Sequence, residues 1–151
     1  MQRTEALANS PMYQAYQILH FGFAIAPILF GLDKFFYLLT DWNRYLAPAV
    51  VDALPVDART FMMGVGVVEI LAGLLVAVTP RFGGYVVMAW LWAIIANLLI
   101  YQGFYDIALR DFGLSLGALA LARLGEAYDS AAFWRRAERY ERRTGGAPHR
   151  A

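Results

Sequence analysis

The sequence predicts an all-α fold: an integral membrane four-helix bundle with a short cytoplasmic amphipathic helix at its C-terminal end. Three observations carry this. Apolar stretches long enough to cross a bilayer recur along the chain. Only 17% of the residues are charged, against about a quarter in soluble domains, and the deficit is concentrated in those stretches. An arginine-rich segment then follows the last of them. The expected organisation is an N-terminal cytoplasmic segment (1–15), a four-helix transmembrane domain (16–124) and a basic cytoplasmic tail with a surface helix (125–151).

The N-terminus shows little basic character and no small-residue cleavage site before the first apolar stretch, so that stretch is expected to remain as a helix. It spans roughly 16–39. A membrane helix needs about 20 residues to span the hydrocarbon, which leaves room for tilt. Pro27 lies inside it, a kink that a membrane helix tolerates when neighbours satisfy the freed carbonyl. The link 40–60 is too polar to span and reads as a short interfacial segment or an ordinary surface loop. On the interfacial reading, Trp42 and Tyr45 lie at headgroup level.

The second helix covers about 60–79 and carries Glu69 near its middle. Thr79-Pro80-Arg81 ends it, and Gly83-Gly84 is expected to complete a tight turn. The third runs over about 84–104, with Trp90 and Trp92 expected between helices or against lipid tails. The fourth, about 106–124, is the weakest by hydropathy, because Asp106, Arg110 and Asp111 crowd its start. Its Gly113 and Gly117 are spaced for close helix contact. Beyond Glu126, residues 130–143 read as an amphipathic helix. Phe133 and Trp134 offer an apolar side, while Arg135, Arg136, Arg139, Arg142 and Arg143 meet anionic headgroups.

Those arginines place the C-terminus in the cytoplasm by the positive-inside rule, and four spans bring the N-terminus there too. Depth then follows from helix rise. Asp33, Lys34, Glu69, Asn97, Asp106, Arg110 and Asp111 all fall in the outer half and form the candidate polar layer. At about 100° per residue, Gly31 and Lys34 share one side of the first helix, and Gly66, Glu69 and Gly73 share one side of the second. An unpaired carboxylate deep in a bilayer is costly. Glu69 is therefore expected to be paired, with Lys34 and Arg110 as the available cations, or neutral. A structural ion pair, a site for a proton, quinone or small polar ligand, and a contact with another subunit all remain open.

Several chemistries are excluded or disfavoured. The absence of cysteine excludes thiol redox and cysteine-held metal within the chain. His20 and His149 are the two histidines, and His149 lies in the tail, which argues against a bis-histidine haem. No metal site is expected. No Gly-rich phosphate loop, zinc-protease helix or nucleophile elbow is present. One short arginine cluster beside a membrane helix argues for lipid rather than nucleic acid.

Gly31-Leu32-Asp33-Lys34, and Gly66-Val67-Val68-Glu69 followed by Gly73, are an early Gly-x-x-Lys and a later Gly-x-x-Glu-x-x-x-Gly. With four apolar segments, they make residues 16–124 resemble the DoxX-like family of small bacterial membrane proteins. The resemblance implies a four-helix bundle in the bacterial inner membrane. It also implies an association with quinone-linked or thiol-oxidative systems, although many members have no assigned activity. The missing cysteines and the long first link depart from a close match. The expected role is an accessory or scaffold subunit of a redox-linked inner-membrane complex. The alternatives are a quinone-interacting oxidoreductase component built around Glu69 and a small oligomeric carrier or channel. The expected partners are the bilayer and another membrane subunit or a second copy. No cofactor is expected within the chain, and quinone is the candidate ligand.

Overall fold

The structure, a computed structural model, describes residues 10–144, with side chains placed for 10–128. The described chain is helical and contains no strand. Three helices are long and apolar enough to cross a membrane: Pro11–Phe36, Ala58–Val78 and Pro80–Tyr101.

Helix α1 (Pro11–Phe36) begins with Pro11 in its first turn, where the missing N–H costs nothing. It ends earlier than the apolar pattern suggests. Tyr37 turns left-handed at φ 56°, and the Asp33 carboxylate accepts the Leu38 and Leu39 backbone N–H groups. A side-chain acceptor thus replaces the next helical carbonyl. The link then folds back as a single 3-10 turn (Trp42–Tyr45) and a short helix α2 (Pro48–Ala53). Its Leu46 and Ala47 are buried. The link is folded against the helices rather than a plain surface loop, and Trp42 and Tyr45 pack half-buried over the helix ends.

Helix α3 (Ala58–Val78) is capped by Asp57, whose carboxylate accepts from the Thr60 N–H at 3.0 Å. Only Thr79 separates it from α4 (Pro80–Tyr101). The turn expected at Gly83-Gly84 is therefore misplaced. Pro80 opens the helix, and both glycines lie inside it. Their role is close approach: a Cβ on Gly83 would lie 2.5 Å from the Val76 Cα, and one on Gly84 would lie 2.8 Å from the Ala118 carbonyl oxygen.

Helix α5 (Tyr105–Thr144) is continuous over 40 residues. The expected division into a spanning helix and a separate surface helix is absent from the backbone. Gly125 does not interrupt it, because the missing side chain admits the start of α4 beside Arg81. The predicted surface contacts Phe133, Trp134, Arg135, Arg136, Arg139, Arg142 and Arg143 lie outside the described side chains.

The long helices associate as two intimate pairs, α1 with α3 and α4 with α5, with far less contact between pairs. In the first pair the backbones touch where Gly31 meets Gly66. A Cβ on either would lie 2.5 or 2.6 Å from the other's carbonyl oxygen. The two pairs close on each other at the Tyr16 end, where Tyr16, Ala24, Ala72, Val76, Val87, Ala118 and Leu121 form one core. A second, smaller core of Ile95, Leu98 and Ala108 ties α4 to α5 at the opposite end. Between these the pairs stand apart around a cleft. Packing rather than water exclusion holds such helices together in lipid, so small residues concentrate where backbones approach.

Candidate functional site

The site is built where Gly31 and Gly66 bring α1 and α3 into contact. One turn beyond each glycine, Lys34 and Glu69 project from the contact faces. The Lys34 ammonium donates to Glu69 Oε2 at 2.6 Å, with side chains only 4% and 10% exposed. A charge-assisted bond this short offsets part of the desolvation of both groups. The indole ring of Trp42 covers the ammonium at 3.8 Å from its centroid. Asp33 orients that indole by accepting from Trp42 Nε1 at 2.7 Å. Asp33 therefore does two jobs: it stops α1 and fixes the aromatic cap over Lys34.

The remaining members of the candidate layer divide. Arg110 does not pair with Glu69. Its guanidinium donates to Asp106 at 2.8 Å, and both side chains are 70% exposed. The i,i+4 spacing on α5 supplies a nearer carboxylate than Glu69. Asn97 serves the link. Its Oδ1 accepts from the Ala47 N–H at 3.0 Å, and its Nδ2 donates to the Tyr45 carbonyl at 2.7 Å. Asp111 lies half-buried on α5 and faces the cleft. Away from this region, His20 shares its Nε2 with the Val76 and Ala77 carbonyls, at 3.0 and 3.3 Å, and ties α1 to the end of α3.

The cleft between the helix pairs has a volume of about 1060 Å³ and is walled mainly by apolar side chains. Lys34, Glu69, Trp90 and Asp111 reach it, and the folded link closes over it through Trp42 and Tyr45. The Trp90 indole N–H is turned toward the Glu69 carboxylate but does not reach hydrogen-bonding geometry with any protein atom. It is a buried donor without a partner, which costs free energy unless something else accepts the bond. Trp90 also walls a second, shallower groove of about 480 Å³ formed by α3 and α4.

Sequence reasoning placed Lys34 and Glu69 on facing sides but missed Trp42 and the cleft itself. No periodicity marks Trp42, because it reaches the site from a single 3-10 turn, too short to show a repeat. The described residues hold no cluster of metal-ligating side chains. Gly113, expected at a tight contact, has nothing within 4 Å, whereas Gly117 packs on the Phe23 ring. No known family model, curated protein or solved structure matches this chain.

Proposed function

We propose that this chain is the ligand-holding subunit of a bacterial inner-membrane complex, and that its cleft binds a membrane-soluble molecule of the quinone type. One observation carries the reading: a large apolar cleft with aromatic walls reaches the Lys34–Glu69 pair and an unpartnered Trp90 donor. Its volume of about 1060 Å³ lies at the upper end of the range for small-molecule pockets. The Trp90 N–H, buried and turned toward Glu69, and the Lys34 ammonium lie behind an otherwise apolar wall. A ring carbonyl is the acceptor such donors recognise. Electrons would come from a partner subunit, as the accessory-subunit expectation holds.

In this reading the four long helices form the transmembrane bundle, with the first half of α5 as the fourth span. Mutual neutralisation of Asp106 and Arg110 lowers the cost of their position near one membrane face. Both termini lie in the cytoplasm, and the cleft opens in the outer half. The Gly-x-x-Lys and Gly-x-x-Glu-x-x-x-Gly motifs, which carry the resemblance to the DoxX-like family, supply the two backbone contacts and the ion pair that build the site.

The test is ligand retention. The full chain is extracted with its surrounding lipid, and organic extracts are quantified for quinones and phospholipids. The expected result is a quinone in stoichiometric amount. Glu69→Gln keeps an acceptor for the Lys34 ammonium but removes its counter-charge, and should lose the quinone at some cost in stability. Ala26→Phe should fill the cleft and lose it without changing a polar group. Phospholipid alone in the unmodified protein would refute the quinone assignment.

A further inference from the structure

The cleft has a second polar feature that the ion pair does not explain. Asp111 reaches it from α5, in the helix pair that faces α1 and α3. Among the described residues its carboxylate accepts no hydrogen bond. Its chain neighbour Arg110 is hydrogen-bonded to Asp106 and acts on Asp111 through its charge alone. Of the polar groups lining the cleft, Trp90 Nε1 is a donor without a hydrogen-bond partner, and Asp111 is a carboxylate that accepts no hydrogen bond among the described residues.

These two groups make different demands on a ligand. A quinone carries carbonyl acceptors, and a hydroquinone carries hydroxyls that both donate and accept. Either form satisfies Trp90 and Lys34, because a ring oxygen accepts in both. Only the hydroquinone offers a proton to a carboxylate. A quinone carbonyl facing Asp111 would set lone pairs against a negative charge. Discrimination between the forms thus falls on the carboxylates, and the Glu69 carboxylate is already engaged by Lys34 at 2.6 Å.

Resting on the reading of the cleft as a quinone-type site, we infer that it selects the reduced ligand. A hydroquinone hydroxyl donates to Asp111, and its other oxygen accepts from Trp90. Asp111 is then the residue that sets the redox-form specificity of binding. Selection of this kind is a property of binding alone and requires no electron transfer within this chain.

The experiment is a calorimetric titration of the full chain in lipid nanodiscs under argon at neutral pH. Decylhydroquinone and decylbenzoquinone are compared, and empty nanodiscs correct for partitioning. A hydrogen bond to a charged group predicts a preference for the hydroquinone of roughly tenfold or more. Asp111→Asn should bring the two affinities within about threefold by weakening hydroquinone binding. Because Asn is nearly isosteric and Asp111 holds no structural bond, its melting temperature should match that of the unmodified protein. Equal affinity for both forms in the unmodified protein would overturn this inference alone. So would a preference that survives Asp111→Asn and disappears in Glu69→Gln. Binding of neither form would overturn the reading of the cleft, and this inference with it.

Discussion

Breaking the Lys34–Glu69 pair from one side should cost far more than removing it whole. Lys34→Met removes the ammonium and leaves a carboxylate that is 10% exposed, with Trp90 as its nearest donor. Glu69→Leu strands the ammonium beneath Trp42. Removing one member of a buried pair typically costs about 3–5 kcal/mol, whereas replacing both by apolar groups of similar volume is often neutral. The double variant should therefore recover about 3 kcal/mol or more relative to the sum of the singles. The cation–π contact with Trp42, about 0.5–2 kcal/mol, is lost in both variants that lack Lys34 and cancels from the cycle. Unfolding in mixed micelles, titrated with a denaturing detergent and followed by tryptophan fluorescence, supplies the four stabilities. A coupling below about 0.5 kcal/mol, the range of independent sites, would refute the claim that the two charges depend on each other.

The two glycine classes should separate in the same unfolding assay. Gly66→Ala must push the Gly31 carbonyl from 2.6 Å and should cost about 1–3 kcal/mol, as overpacking does. Gly113→Ala meets nothing within 4 Å and should gain about 0.5–1 kcal/mol from helix propensity. Asn97→Leu leaves the Ala47 N–H and the Tyr45 carbonyl unpaired. It should speed hydrogen exchange at Ala47 and cost about 1–3 kcal/mol. Bonds from the Thr60 hydroxyl and N–H hold Asp57 below its ordinary value of 3.8. The stabilisation it gives α3 is thus present above pH 3.8 and is lost as the pH falls through the lowered folded-state value. An acid titration of helicity should show this loss in the unmodified protein and not in Asp57→Asn. Reporter fusions after Gly146 and within residues 46–56 should report opposite sides of the membrane.

Composition and periodicity made the class of this protein legible. Three helices carry apolar runs of spanning length, and a run of that kind leaves the backbone no better way to satisfy its hydrogen bonds in lipid. The facing of Lys34 and Glu69 was also legible, because each sits one helical turn after a glycine, and small residues mark the face where backbones meet. Of the two cations available to Glu69, Lys34 is the one that pairs with it and Arg110 is not. Its own helix offered Asp106 at i−4, and a local pair forms without any tertiary cost. The glycines at 83 and 84 carry the same residue type as a turn, so only the position of Pro80 and the packing against Val76 and Ala118 distinguish helix from turn.

The sequence by itself determined that the chain is helical, that its apolar segments suit a bilayer, and that charges gather toward one end of them. The tertiary structure decided which charges meet and what surrounds them. Trp42 covers Lys34 because Asp33 stops α1 and turns the link back over the helix ends. The cleft exists because the two helix pairs close tightly within themselves and meet each other mainly at the Tyr16 end. A cavity is a property of spacing between elements far apart in the chain. Helical periodicity records which face of one helix is buried, and carries no information on how far away the next pair will stand.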